Sequence, residues 1–175
     1  MTYRIDRLRA LAMLAVMAAG APTLAVAQDQ APAGQAAAKA PPPWLTVCQG
    51  QSRDAALDCQ MEQRVMLQNT GQFVGSLTIR VPADGRKPTL MIRGPLGVTL
   101  AAGATIDVDG ASAVTMPLQT CDNTGCYAGA PLSGDLLNAM VKGQVVNLTF
   151  QNLSKAPVSI PLSLSGFSAA YAKIK

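Results

Sequence analysis

The sequence predicts a mainly β domain, an immunoglobulin-like β-sandwich with one short inserted helix, stabilised by disulfides. Two observations carry this reading. From Trp44 onward, short apolar runs recur between Gly, Pro, Asn and Asp, the punctuation of antiparallel β structure. An even number of cysteines, Cys48, Cys59, Cys121 and Cys126, follows a leader of the export type, and such a set reads first as disulfides. A closed barrel is the alternative way to bury the same strands.

Residues 1–27 have the form of a signal peptide. Arg4, Arg7 and Arg9 make a positive start, an Ala-, Leu- and Met-rich run follows from Ala10, and Ala25 and Ala27 flank Val26 ahead of Gln28. An uncleaved membrane anchor is the rival reading, weakened by the alanine-rich centre and by Gly20 and Pro22. Residues 28–43 hold Ala, Gln, Pro and Gly with no aromatic or β-branched residue, so they are expected to form a flexible linker. The domain is expected to span 44–175.

Within it the strand candidates are 44–48, 58–67, 72–81, 89–93, 97–100, 104–108, 112–118, 145–151 and 157–165. In 72–81, alternation puts Phe73, Leu77, Ile79 and Val81 on one face, with Ser76, Thr78 and Arg80 on the other. In 157–165, Val158, Ile160, Leu162 and Leu164 alternate with polar residues, and Pro161 marks an edge strand because it has no N–H for a ladder. Asp109-Gly110 reads as a hairpin turn. In 133–143, Leu136, Leu137, Met140 and Val141 recur at helical spacing between a capping Ser133 and Gly143, which predicts the inserted helix. Phe167, Ala170, Tyr171 and Ile174 repeat that spacing at the C-terminus.

The charge pattern argues against nucleic acid as a partner. After removal of 1–27, residues 28–175 carry 11 Lys plus Arg and 9 Asp plus Glu, a net +2, and the basic residues are scattered except for Arg86-Lys87. The chain has no histidine, which removes Ser-His-Asp and Cys-His catalysis, His-ligated zinc or copper, and c-type haem. Asp107 and Asp109 are the one close carboxylate pair in a strand context, and at the mouth of a turn they read as solvated charges. Glu62 reads as surface charge. Met61, Met66, Met91, Met116 and Met140 are dispersed, which favours core filling over a copper site. Trp44 reads as a core anchor, and Gly94-Pro95-Leu96-Gly97 as a turn.

Four cysteines allow three connectivities, and the sequence does not choose among them. The local pairs Cys48–Cys59 and Cys121–Cys126 are favoured because each encloses a turn-like polar segment. The four-residue spacing inside Cys121–Cys126 differs from that of thioredoxin-like redox motifs and zinc knuckles. No catalytic, cofactor or metal-binding residues are assigned, and an enzyme is not expected.

Trp44, Val47 and Cys48, then Asp58-Cys59, Gly94-Pro95-Leu96-Gly97-Val98 with Leu100 and Gly103, Cys121-x4-Cys126, Leu136-Leu137 and Val158 to Gly166-Phe167 follow one another in a characteristic order. In that order they resemble the invasion-associated locus B family of bacterial envelope proteins, over 44–172. The resemblance implies a periplasmic or envelope location, an immunoglobulin-like sandwich and two bridges, and it transfers no catalytic residue. The family takes its name from a link to host-cell invasion.

The expectation is therefore a periplasmic or secreted, non-catalytic module that binds a protein partner in the envelope or on a host cell. It would meet a membrane only through an uncleaved leader. A small-ligand or glycan-binding module is the alternative, although seven aromatics in the whole chain leave no evident stacking platform.

Overall fold

The computed structural model describes residues 43–175. The leader expected at 1–27 and the linker at 28–43, save Pro43, lie outside the described residues.

Two antiparallel sheets face each other. The first has six strands in the order β1 (Leu45–Gln49), β2 (Asp58–Met66), β3 (Phe73–Val81), β4 (Thr89–Gly94), β8 (Gly125–Pro131), β7 (Leu118–Asp122). The second has four, β10 (Pro157–Ser163), β9 (Val145–Gln151), β5 (Ala104–Val108), β6 (Ala111–Met116). Alternation does the sorting: Met61, Leu77, Ile79, Leu90, Ile92 and Ala128 of the first sheet, and Ile106, Val146, Leu148, Phe150, Ile160 and Leu162 of the second, are buried between them. Close approach of the sheets needs glycine at two points. A Cβ on Gly94 would fall 2.4 Å from the Phe150 ring, and one on Gly75 would fall 3.0 Å from Ile160.

Asp109 and Gly110 both have positive φ, 52° and 78°, and close the β5–β6 hairpin as a two-residue turn. Pro161 lies in β10, an edge strand, as its missing N–H requires. Helix α1 (Gly134–Lys142) begins at Ser133, whose Oγ accepts from the Leu136 N–H, and buries Leu136 and Met140, while Val141 is left exposed. Helix α2 (Phe167–Tyr171) buries Phe167 and Ala170. Trp44 is buried and meets Phe167 edge-on at 5.3 Å between centroids, so it anchors the start of the domain to its last helix.

Several expectations from the sequence are corrected. Residues 97–100 do not form a strand: Val98 makes an isolated bridge to Asn152, and the chain turns through a short 3-10 helix, Leu100–Ala102, before Gly103 at φ 70°. The run 112–118 divides at Pro117, where β6 of the second sheet ends and β7 of the first begins. A residue with no N–H suits a point where the chain leaves one ladder for another. Strand β8, Gly-Cys-Tyr-Ala-Gly-Ala-Pro, has no sequence signal because Gly, Ala and Pro are poor strand formers. Its place is set by pairing along the whole of β4.

Candidate functional site

The four cysteines lie on directly opposed pairs, Cys48 with Cys59 in β1–β2 and Cys121 with Cys126 in β7–β8, and the structure joins each pair as a disulfide. Both bridges therefore tie an edge strand of the six-stranded sheet to its inner neighbour. Exposed strand edges invite pairing and slippage, and a covalent cross-strand tie holds these two in register.

Between these stapled edges, the outer face of the sheet gathers residues that the sequence reading left apart. Arg64, Ser76, Arg93 and Tyr127 form one transverse row across β2, β3, β4 and β8, each directly opposite the next. Glu62, Thr78 and Met91 form the adjacent row. These seven residues line a cavity of about 250 Å³ together with Gln60 and Ile92.

Phe73 reaches this face through an irregularity. The β2–β3 register shifts so that Val65 opposes Gly75 but Met66 opposes Phe73, which leaves Val74 as an extra residue in β3. The bulge reverses the alternation beyond that point. Val74 packs against the core, and Phe73 moves to the outer face, where the Arg93 guanidinium lies 3.7 Å from its ring centroid. The expectation that Phe73 shares the inner face with Leu77, Ile79 and Val81 is overturned for this reason.

The charges are arranged unevenly. Arg64 donates to Glu62 Oε2 from Nε at 2.8 Å and is 2.7 Å from it at the terminal nitrogen, and this partner raises the Arg64 pKa above its ordinary value. Arg93 has no ion pair among the described residues, and its Nε is buried there with no hydrogen-bond acceptor. Tyr127 is held from the other side: its hydroxyl is 2.7 Å from Thr124 Oγ1 and 3.3 Å from Asp122 Oδ2. Asp122 also accepts from the Thr124 hydroxyl and N–H at 2.7 Å each, and these bonds hold its carboxyl below the usual range.

The remaining sequence candidates have structural work. Asp107 accepts from the Gly110 N–H and from Asn147 Nδ2, each at 2.9 Å, while Asp109 accepts from the N–H groups of Gln144 and Val145. The pair thus secures the β5–β6 turn and the entry to β9. Met61, Met116 and Met140 are core residues, whereas Met66 and Met91 are exposed, so core filling describes only three of the five. Glu62 is more sheltered than a surface charge, its side chain being 16% exposed beside Arg64. Leu96 of the Gly94–Gly97 turn is exposed at the loop end of the sandwich. Among the described residues no group of His, Cys, Asp and Glu is placed to hold a metal ion, and no helix is long and apolar enough to cross a membrane.

A second, larger groove of about 580 Å³ lies by the Cys48–Cys59 bridge, lined by residues that include Val47, Gln49, Asp58, Gln60, Arg80 and Asp84. Asp58 is committed there, 3.4 Å from Arg80 and accepting from the Ala83 N–H at 2.9 Å.

The sequence profile of the invasion associated locus B (IalB) protein family matches residues 44–175. Invasion protein B homologs from two strains of Brucella abortus are each 32% identical to this chain over 133 residues, which is 75% of this chain and 75% of each relative. The crystal structure of invasion associated protein B from Bartonella henselae superposes with a TM-score of 0.65 at 18% identity, over 75% of this chain and 91% of that one, a likeness of fold.

Proposed function

The chain belongs to the invasion associated locus B family, and from that premise we propose that it is an exported, non-catalytic envelope protein that binds a protein partner. One observation carries the reading: Arg64, Arg93, Met91, Phe73 and Tyr127 share the outer face of one disulfide-tied sheet. Arg, Met and aromatic residues are enriched where proteins bind each other, and a rigid sheet offers them at low entropic cost. The partner is expected in the envelope or on a host cell.

The test is capture from cross-linked envelope and from host-cell membranes, comparing the oxidised protein with Met91→Glu on this face and Ser159→Glu on the four-stranded sheet. A partner retained by the native protein and by Ser159→Glu, but lost with Met91→Glu, supports the reading. Equal capture by all three, or nothing above background, removes it.

The larger groove favours a second reading, a small-ligand or glycan site, because about 580 Å³ falls within the ~300–1,000 Å³ usual for such pockets. A ligand screen in which no compound raises the melting temperature would dispose of it.

A further inference from the structure

We infer that the small cavity at Arg93 is a subsite for one carboxylate, supplied by an acidic residue of the protein partner; the inference rests on the interaction reading of this face. The ionised groups in the cavity are Arg64, Glu62 and Arg93. Arg64 and Glu62 neutralise each other at 2.7 Å, so of the charged groups lining the cavity the guanidinium of Arg93 is the one left over.

The geometry around that guanidinium prepares it for a planar anion. Phe73 takes one face of it at 3.7 Å, which directs ligand bonding to the N–H edge, the edge that a carboxylate matches with two parallel bonds. Because the ring and the flanking strands already hold the side chain, little rotamer freedom remains to be lost on binding. The hydroxyl-bearing Ser76 and Tyr127 stand directly opposite Arg93 on the two neighbouring strands, and Ser76 is only 2% exposed.

Charge and size both select the occupant. One uncompensated positive charge is balanced by a monoanion, whereas a phosphate dianion would bring surplus negative charge close to Glu62. A volume of about 250 Å³ is below that of ordinary small-molecule pockets, ~300–1,000 Å³, and suits a single inserted side chain.

The experiment titrates the full oxidised chain with acetyl-Gly-Glu-Gly-amide, with its Gln counterpart and with inorganic phosphate at constant ionic strength. Backbone amide and arginine Nε–H resonances are followed by NMR. Saturable shifts at Arg64, Ser76, Arg93 and Tyr127 are expected with the glutamyl peptide alone. Arg93→Gln should weaken them at least about tenfold, the loss expected of a charge-assisted bond. Arg93→Lys, which keeps the charge without the fork, should bind more weakly than native and covers the case that Arg93→Gln does not fold. Arg80→Gln, on the same face but paired with Asp58, should leave binding unchanged.

Equal shifts with the glutaminyl peptide, tighter binding of phosphate, or an equal loss in Arg80→Gln would overturn the proposal. The two readings fail separately. A partner lost with Met91→Glu but kept with Arg93→Gln leaves the interface standing and removes the carboxylate subsite.

Discussion

Arg93 and Phe73 meet because β3 contains one residue too many. The bulge at Val74 turns Phe73 from the core to the outer face, and the Arg93 guanidinium then lies over its ring at 3.7 Å. A sheet irregularity thus supplies the ring that covers one face of an arginine lining the cavity.

The contact is expected to be energetically real and separable from packing. A double-mutant cycle with Phe73→Leu and Arg93→Gln should show a coupling of about 0.5–1 kcal/mol, the range for a partly exposed cation–π pair. Urea unfolding of the four proteins measures it, and additive effects would show that the two groups merely lie close.

Gly94 should not accept even a methyl group. Its Cβ would sit 2.4 Å from two atoms of the buried Phe150 ring, so Gly94→Ala is expected to cost about 1–3 kcal/mol through overpacking. Adding Phe150→Leu, which removes the ring, should make Gly94→Ala cost less than it does in the native background. If thermal unfolding shows equal costs in both backgrounds, the clash is not the cause.

The two bridges close short loops, with sequence separations of 11 and 5, so removing either is expected to cost about 2–3 kcal/mol in a chain-entropy treatment. The location of the effect is the sharper test. In Cys48→Ala/Cys59→Ala, hydrogen exchange should accelerate most in β1, and in Cys121→Ala/Cys126→Ala most in β7, because each bridge ties its own edge strand. Uniform acceleration in both variants would contradict this.

Asp122 gives the β7–β8 turn a pH dependence. Its carboxyl is held low chiefly by the Thr124 hydroxyl and then by the Thr124 N–H, so the folded state favours the ionised form. This stabilisation is complete above the unfolded-state value of about 3.9 and is lost as the pH falls through the lower folded-state value. An NMR titration of the Asp122 carboxyl should give a midpoint below the ordinary aspartate range, and Thr124→Val should move it upward. A midpoint that Thr124→Val does not move would show that this hydroxyl is not the cause.

Short-range periodicity and residue type were enough to specify several elements of the fold. Alternation marked β3 and β10, Pro161 marked an edge strand, Asp109-Gly110 marked its hairpin, and Ser133 with Leu136 and Met140 marked α1. Each of these depends on residues within a few positions of one another.

Tertiary structure decided the rest. Strand β8 is specified by its partner β4 and by no propensity of its own, and the run 112–118 was divided by the need to change sheets at Pro117. The candidate site was illegible for the same reason. Arg64, Ser76, Arg93 and Tyr127 are far apart in the chain and become neighbours only through register across four strands. Phe73 joined them because a single extra residue reversed its face, and side-chain direction in a strand follows from pairing with the neighbouring strand, which local sequence does not encode.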